Sequence, residues 1–236
     1  MEKRLTNQQI DQLFTFTKKH YVEHYDVQVE LVDHLANAIE DQWKENPNIL
    51  FQDALQTEFK KFGIFGFTGL VEEKQAELHS YYYKMIWNEL VKFLSIPKVL
   101  LTVVLYFGLF NLLKSFPTFS DLILAILILI TFIYYAFDGI RFNYLIKKEQ
   151  KKKNQSWLLQ SVASQVYMFP VMVCSGSWYS LLSSFFSDQK IFSDFALHFM
   201  SIFGLVHLIT IFIMIFIIKP KLKTEIIKTE KRFQFA

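Results

Sequence analysis

FALHFMSIFGLVHLITIFIMIFII, residues Phe195 to Ile218, holds no Asp, Glu, Lys or Arg. A bilayer core ~30 Å thick is crossed by ~20 helical residues, so this run is long enough and apolar enough to span one. Lipid offers no partner for open backbone groups, which makes helix the expected conformation. Three more runs precede it, at about 94–113, 122–140 and 160–186. The third is the most polar. The predicted fold is therefore all-α: an N-terminal cytoplasmic helical module followed by a four-helix transmembrane bundle.

Charge divides the chain at the same place. Residues 1–94 carry 10 Lys+Arg against 15 Asp+Glu, a net −5, and residues 95–236 carry 15 against 7, a net +8. Such asymmetry points to two environments. Apolar residues make up 52% of the chain and phenylalanine fills 26 positions, too many for an ordinary soluble surface. The single cysteine, Cys174, excludes an internal disulfide and a zinc knuckle, and its apolar surroundings read as packing.

Topology follows from the connections. Arg141 to Ser156 holds six basic residues and Lys219 to Arg232 six more, whereas 114–121 and 187–194 hold one lysine each. Positive charge stays inside, so both termini and the middle loop are expected in the cytoplasm. Met1 to Asn46 is amphipathic and charged, without the short apolar core of a cleavable signal peptide. The expected division is a module over 1–75, a helical connector over 76–94, the membrane domain over 95–218 and a basic tail over 219–236. Tyr81, Tyr82, Tyr83 and Trp87 in the connector suit a membrane interface.

Within the module, Thr6 and Gln9 form a capping-box pattern. A second helix from about Asp26 to Glu45 has Val27, Leu31, Leu35, Ala38, Ile39 and Trp43 on one stripe. A third, from Phe51 to Phe62, ends at Gly63, suited to a left-handed cap. The turn GIFGFTGL lacks the lysine and hydroxyl of a phosphate-binding loop and follows no strand; Thr68 is placed to cap the next helix.

ELVDHLANAIEDQ, Glu30 to Gln42, and FQDALQTEFKKFG, Phe51 to Gly63, resemble the bacterial HTH-associated α-helical signalling domain over roughly residues 10–75. The resemblance implies a regulatory protein of the bacterial cytoplasmic (inner) membrane, acting beside a PadR-like transcription regulator. The chain departs from that family in its GIFGFTGL turn and has no recognisable DNA-binding helix-turn-helix of its own.

The polar residues on the second helix, Glu30, Asp33, His34 and Asn37, lie opposite the apolar stripe and are expected to meet a protein partner. His20 and His24 stand at i, i+4, a metal-compatible spacing, but the pair falls at a helix end and neither HExxH nor Glu-x-x-His occurs. No metal and no cofactor is expected. Three groups are polar within or beside the spans. His198 and His207 are read as hydrogen-bonding across helices, with Ser175, Ser177, Ser180 and Ser183 as partners, and Asp138 as an interface pair with Arg141. Pro170 and Gly176 read as packing kinks. Lys147, Lys148, Lys151, Lys152 and Lys153 would meet lipid headgroups, with no direct nucleic-acid contact. No nucleophile–base pair, cofactor loop or carboxylate pair in a cleft supports an enzyme. The expectation is a non-enzymatic membrane regulatory protein. The alternative is a small transporter or accessory subunit using the polar residues of the third and fourth spans.

Overall fold

The computed structural model describes residues 3–93, 95–96, 98–170 and 193–234, and among these it is all-helical with no strand. Among the described residues three helices are long and apolar enough to cross a membrane: Lys98–Ser115, Ser120–Lys153 and Asp194–Arg232. The expected third span enters the described residues only as a helix over 158–170. Cys174, Gly176 and the four serines lie outside them. The chain forms two compact units, one of residues 1–80 with 147–162, the other of 81–146 with 163–236.

In the first unit, α1 (Asn7–Lys19) opens on the expected capping box: Gln9 N–H donates to Thr6 Oγ1 while the Gln9 side chain accepts from Thr6 N–H. Two orphan amides are thereby satisfied. The stripe on α2 (Tyr25–Glu45) buries Val27, Leu31, Leu35, Ile39 and Trp43, against Leu13 of α1 and Ala54 and Leu55 of α3 (Phe51–Lys60) in one apolar core. Gln42 and Lys61 both donate to the buried carboxylate of Glu58, Lys61 at 2.7 Å. Gly63 and Gly66 then take φ +73° and +54°, and a Cβ on Gly66 would sit 3.1 Å from the Phe59 ring. Only glycine enters that region without steric cost. Phe67 closes the turn, fully buried, and α4 (Thr68–Lys92) follows.

Residues 147–162 join residues 1–80 in the first unit. The basic stretch after the second span is helical rather than a loop, since α6 (Ser120–Lys153) continues through it to a left-handed Asn154. The chain then returns to α2. Tyr25 N–H donates to Ser156 O at 2.6 Å, the Trp157 ring meets the Tyr25 ring edge-on at 5.5 Å, and Trp157 and Leu158 are buried. The Asp26 carboxylate accepts from the backbone amides of Leu158 at 2.9 Å and Leu159 at 3.2 Å. These are first-turn amides of α7, the helix over 158–170, so a residue 132 positions upstream supplies its N-terminal cap.

In the second unit, α5 (Lys98–Ser115), α6 and α8 (Asp194–Ile213) enclose Leu113, Leu124, Ile128 and Leu197. Gly204 on α8 permits the close approach: a Cβ there would lie 2.7 Å from Leu124 and 3.1 Å from Leu109. Much of the remaining apolar surface, Leu100, Val104, Phe107, Ile130 and Phe137 among it, faces outward as lipid contact requires. After α8 the helix widens into a π turn, Met214–Ile218, where Lys219 N–H donates to Met214 O, and continues as α9 (Lys219–Gln234). Pro220 has no N–H, and its ring would crowd an α-helical carbonyl one turn back; the wider turn relieves that conflict.

Replacing Asp26 by alanine should destabilise the first unit by about 1 kcal/mol, the usual value of an N-cap. Hydrogen exchange at Leu158 and Leu159 should quicken with it; unchanged exchange at both amides would show that the cap contributes nothing.

Candidate functional site

The polar groups of the second unit gather on one face of α6. Thr131, Tyr135 and Asp138 stand at i, i+4 and i+7, a spacing that aligns side chains along a helix. Each finds a partner on another helix. His207 Nε2 lies 2.9 Å from Thr131 Oγ1, and that hydroxyl is 2.8 Å from Leu127 O. The Thr131 hydroxyl thus joins His207 across helices while also reaching the carbonyl of its own helix. His207 has a cross-helix partner on α6; the serines expected to bond it lie outside the described residues.

Lower on the same face, Tyr135 OH donates to the backbone carbonyl of Tyr167, and Tyr167 OH donates to Asp138 Oδ2 at 2.6 Å. Lys219 completes the set, with Nζ 2.5 and 2.7 Å from the two Asp138 oxygens and 5.9 Å from the centre of the Tyr167 ring. Asp138 and Lys219 are largely buried, their side chains 17% and 18% exposed. The expected Asp138–Arg141 pair is therefore corrected: Arg141 is exposed, and the counter-charge comes from beyond the π turn. A charge in apolar surroundings needs a partner, and no spacing in the sequence reveals one 81 residues away. His198 lies flat on Phe110, ring centres 4.2 Å apart, and bonds to Tyr106 OH.

The expected basic tail is also held. Ile218, Leu222 and Ile226, at i, i+4 and i+8, are buried, a stripe legible in the sequence but obscured by its lysines. Beside it Lys221 donates to Glu89 of α4 at 2.6 Å and Glu225 accepts from Tyr81 OH at 2.9 Å. Glu89 also accepts from Lys92 at 2.8 Å. Hydrogen bonds from Lys221, then Lys92, hold the Glu89 carboxyl below its ordinary range although burial opposes them. Bonding to Glu225 raises the Tyr81 hydroxyl. Of the aromatics expected at an interface, Tyr82 is instead fully buried, while Tyr81 and Trp87 remain exposed.

The candidate partner face in the first unit is wet. Glu30, Asp33, His34 and Asn37 are all exposed; Glu30 meets Lys74 at 2.5 Å, and the His34 ring stands edge-on to Phe62 at 6.3 Å. His20 and His24 diverge. His20 packs, tilted, against the rings of Phe16 and Phe59 and donates from Nδ1 to Phe16 O at 2.8 Å, while His24 Nδ1 lies 3.1 Å from Ser156 Oγ. Among the described residues no three His, Cys, Asp or Glu gather to hold a metal. Lys147, Lys148, Lys151, Lys152 and Lys153 are exposed along the end of α6.

Two outcomes follow from these pairings. Asp138→Asn should cost about 1–3 kcal/mol by leaving the Lys219 ammonium without its counter-charge. Asp138→Asn with Lys219→Met should cost less than that single change, as thermal unfolding in detergent would record; equal costs would mean the pair is not coupled. Glu89, whose folded pKa is depressed, stabilises the α4–α9 contact above its ordinary range, and this contribution is lost as pH falls through the lower folded value. Glu89→Gln should flatten the acid limb of a stability–pH profile.

The chain matches no family model, no curated protein and no solved structure.

Proposed function

We propose that this is a non-enzymatic regulatory protein of a bacterial cytoplasmic membrane, with both termini in the cytoplasm and a helical module that binds a cytoplasmic protein. The observation that carries this reading is the outer face of α2. Glu30, Asp33, His34 and Asn37 form an exposed polar strip on a helix whose opposite side is locked into a core. A rigid surface of this kind presents fixed charges at little entropic cost on binding. Its acidity selects a partner with a basic surface, and the resemblance to the HTH-associated signalling domain suggests a transcription regulator. The basic stretch from Lys147 to Lys153 supports an orientation with this end of α6 inside the cell.

The transporter reading draws on the polar seam of α6. There the hydroxyls, the carboxylate and the ammonium are engaged with one another, as structural groups in a membrane helix are.

A photo-crosslinking residue at Asn37 of the full chain, in the cells that make it, should trap a discrete cytoplasmic protein. Glu30→Lys with Asp33→Lys should abolish the adduct. The reading is wrong if no protein is trapped while purified protein in liposomes moves solute in a way that His207→Ala stops.

A further inference from the structure

The turn that closes the first unit holds two apolar side chains outward. Between Gly63 and Gly66, Ile64 is 99% and Phe65 81% exposed, whereas Phe67 is buried against Phe59 and Phe62. The turn is hydrogen-bonded along its length. Gly63 N–H donates to Lys60 O at 3.1 Å, Gly66 N–H to Gly63 O at 3.3 Å and Thr68 N–H to Phe65 O at 3.2 Å. The tip is thus defined by its backbone, and a phenylalanine and an isoleucine side by side in water are what it presents.

A second exposed ring stands at the same end of the unit. His20, its ring tilted against that of Phe59 with centres 4.3 Å apart, joins the end of α1 to the end of α3. The next residue, Tyr21, takes φ +65° and is 84% exposed. A side chain other than glycine is uncommon there. Four exposed lysines flank these residues: Lys18 and Lys19 close α1, and Lys60 and Lys61 close α3. Of the nearby acids, Glu58 is buried and engaged by Lys61, Glu23 is exposed, and Glu72 and Glu73 lie a helical turn into α4. The sign of charge therefore reverses locally within an acidic part of the chain.

We propose that this end of the first unit docks on an anionic lipid surface, with Ile64 and Phe65 entering the headgroup–acyl boundary, Tyr21 at headgroup level and the four lysines on lipid phosphates. An apolar tip ringed by cations is the composition of interfacial membrane contacts: the apolar side chains lose water, and lysine stems lie along them while their ammoniums stay with the headgroups. A groove on a protein would complement the apolar tip alone; the ring of lysines selects the anionic lipid. Among the described residues three helices are long and apolar enough to cross a membrane, so a lipid surface is one this chain meets.

The test places a nitroxide at Ile64→Cys in a Cys174→Ser background of the full chain, reconstituted in phosphatidylcholine nanodiscs with and without phosphatidylglycerol. With phosphatidylglycerol, the label should gain collisions with oxygen and lose most of its collisions with an aqueous nickel chelate. A label at Asn48 should remain chelate-exposed throughout. Reversing Lys18, Lys19, Lys60 and Lys61 to glutamate should return the label at position 64 to water. Three results would overturn the proposal: chelate exposure in both discs; protection that ignores phosphatidylglycerol and charge reversal, which would indicate a protein contact; or dipolar broadening between labels, which would place a second copy of the chain on the tip.

Discussion

A carboxylate and an ammonium amid apolar helices are stable only together, and the pair of Asp138 with Lys219 sets the register of the second unit. Separating them would leave two charges without water or partner, a far larger penalty than any single apolar contact there could offset. Tyr167 donates to the same carboxylate and Tyr135 to the Tyr167 backbone, so α6, α7 and α9 are fixed by one connected network. The π turn belongs to this arrangement. It delivers Lys219 to Asp138 and lets Lys221, two residues on, reach Glu89. Apolar packing, by contrast, tolerates sliding of one greasy helix past another.

How much of this was legible depended on the range of the interaction. The capping box of Thr6 and Gln9, the buried stripe of α2 and the left-handed Gly63 are local, within a few residues, and their patterns are specific. The membrane-spanning helices were legible because lipid imposes length and composition on each run separately. Partners across helices were not. Arg141 is the cation near Asp138 in sequence, whereas the one that meets it, Lys219, lies 81 residues on. Asp26 looked like the start of α2, which is nearly so, but nothing local marks it as the cap of a helix 132 residues away.

The candidate partner face shows the same division. Glu30, Asp33, His34 and Asn37 were placed on the outer side by periodicity alone, and they are exposed. His20 and His24, at a helix end, turn to different partners. The exposure of Ile64 and Phe65 has no signature in the sequence, since a glycine-flanked apolar pair reads equally as a buried turn. Only the geometry of the two glycines decides which way such side chains face.

The return of residues 147–162 to the first unit has a consequence for the order of assembly. A ribosome releases α1, α2 and α3 early, and their core can form at once. The amides that Asp26 caps emerge only after α5 and α6, both apolar helices bound for the bilayer, have been synthesised. Until then the edge of α2 that Trp157 and Leu158 cover stays open. Completion of the first unit is thereby a record that two apolar helices have already been synthesised.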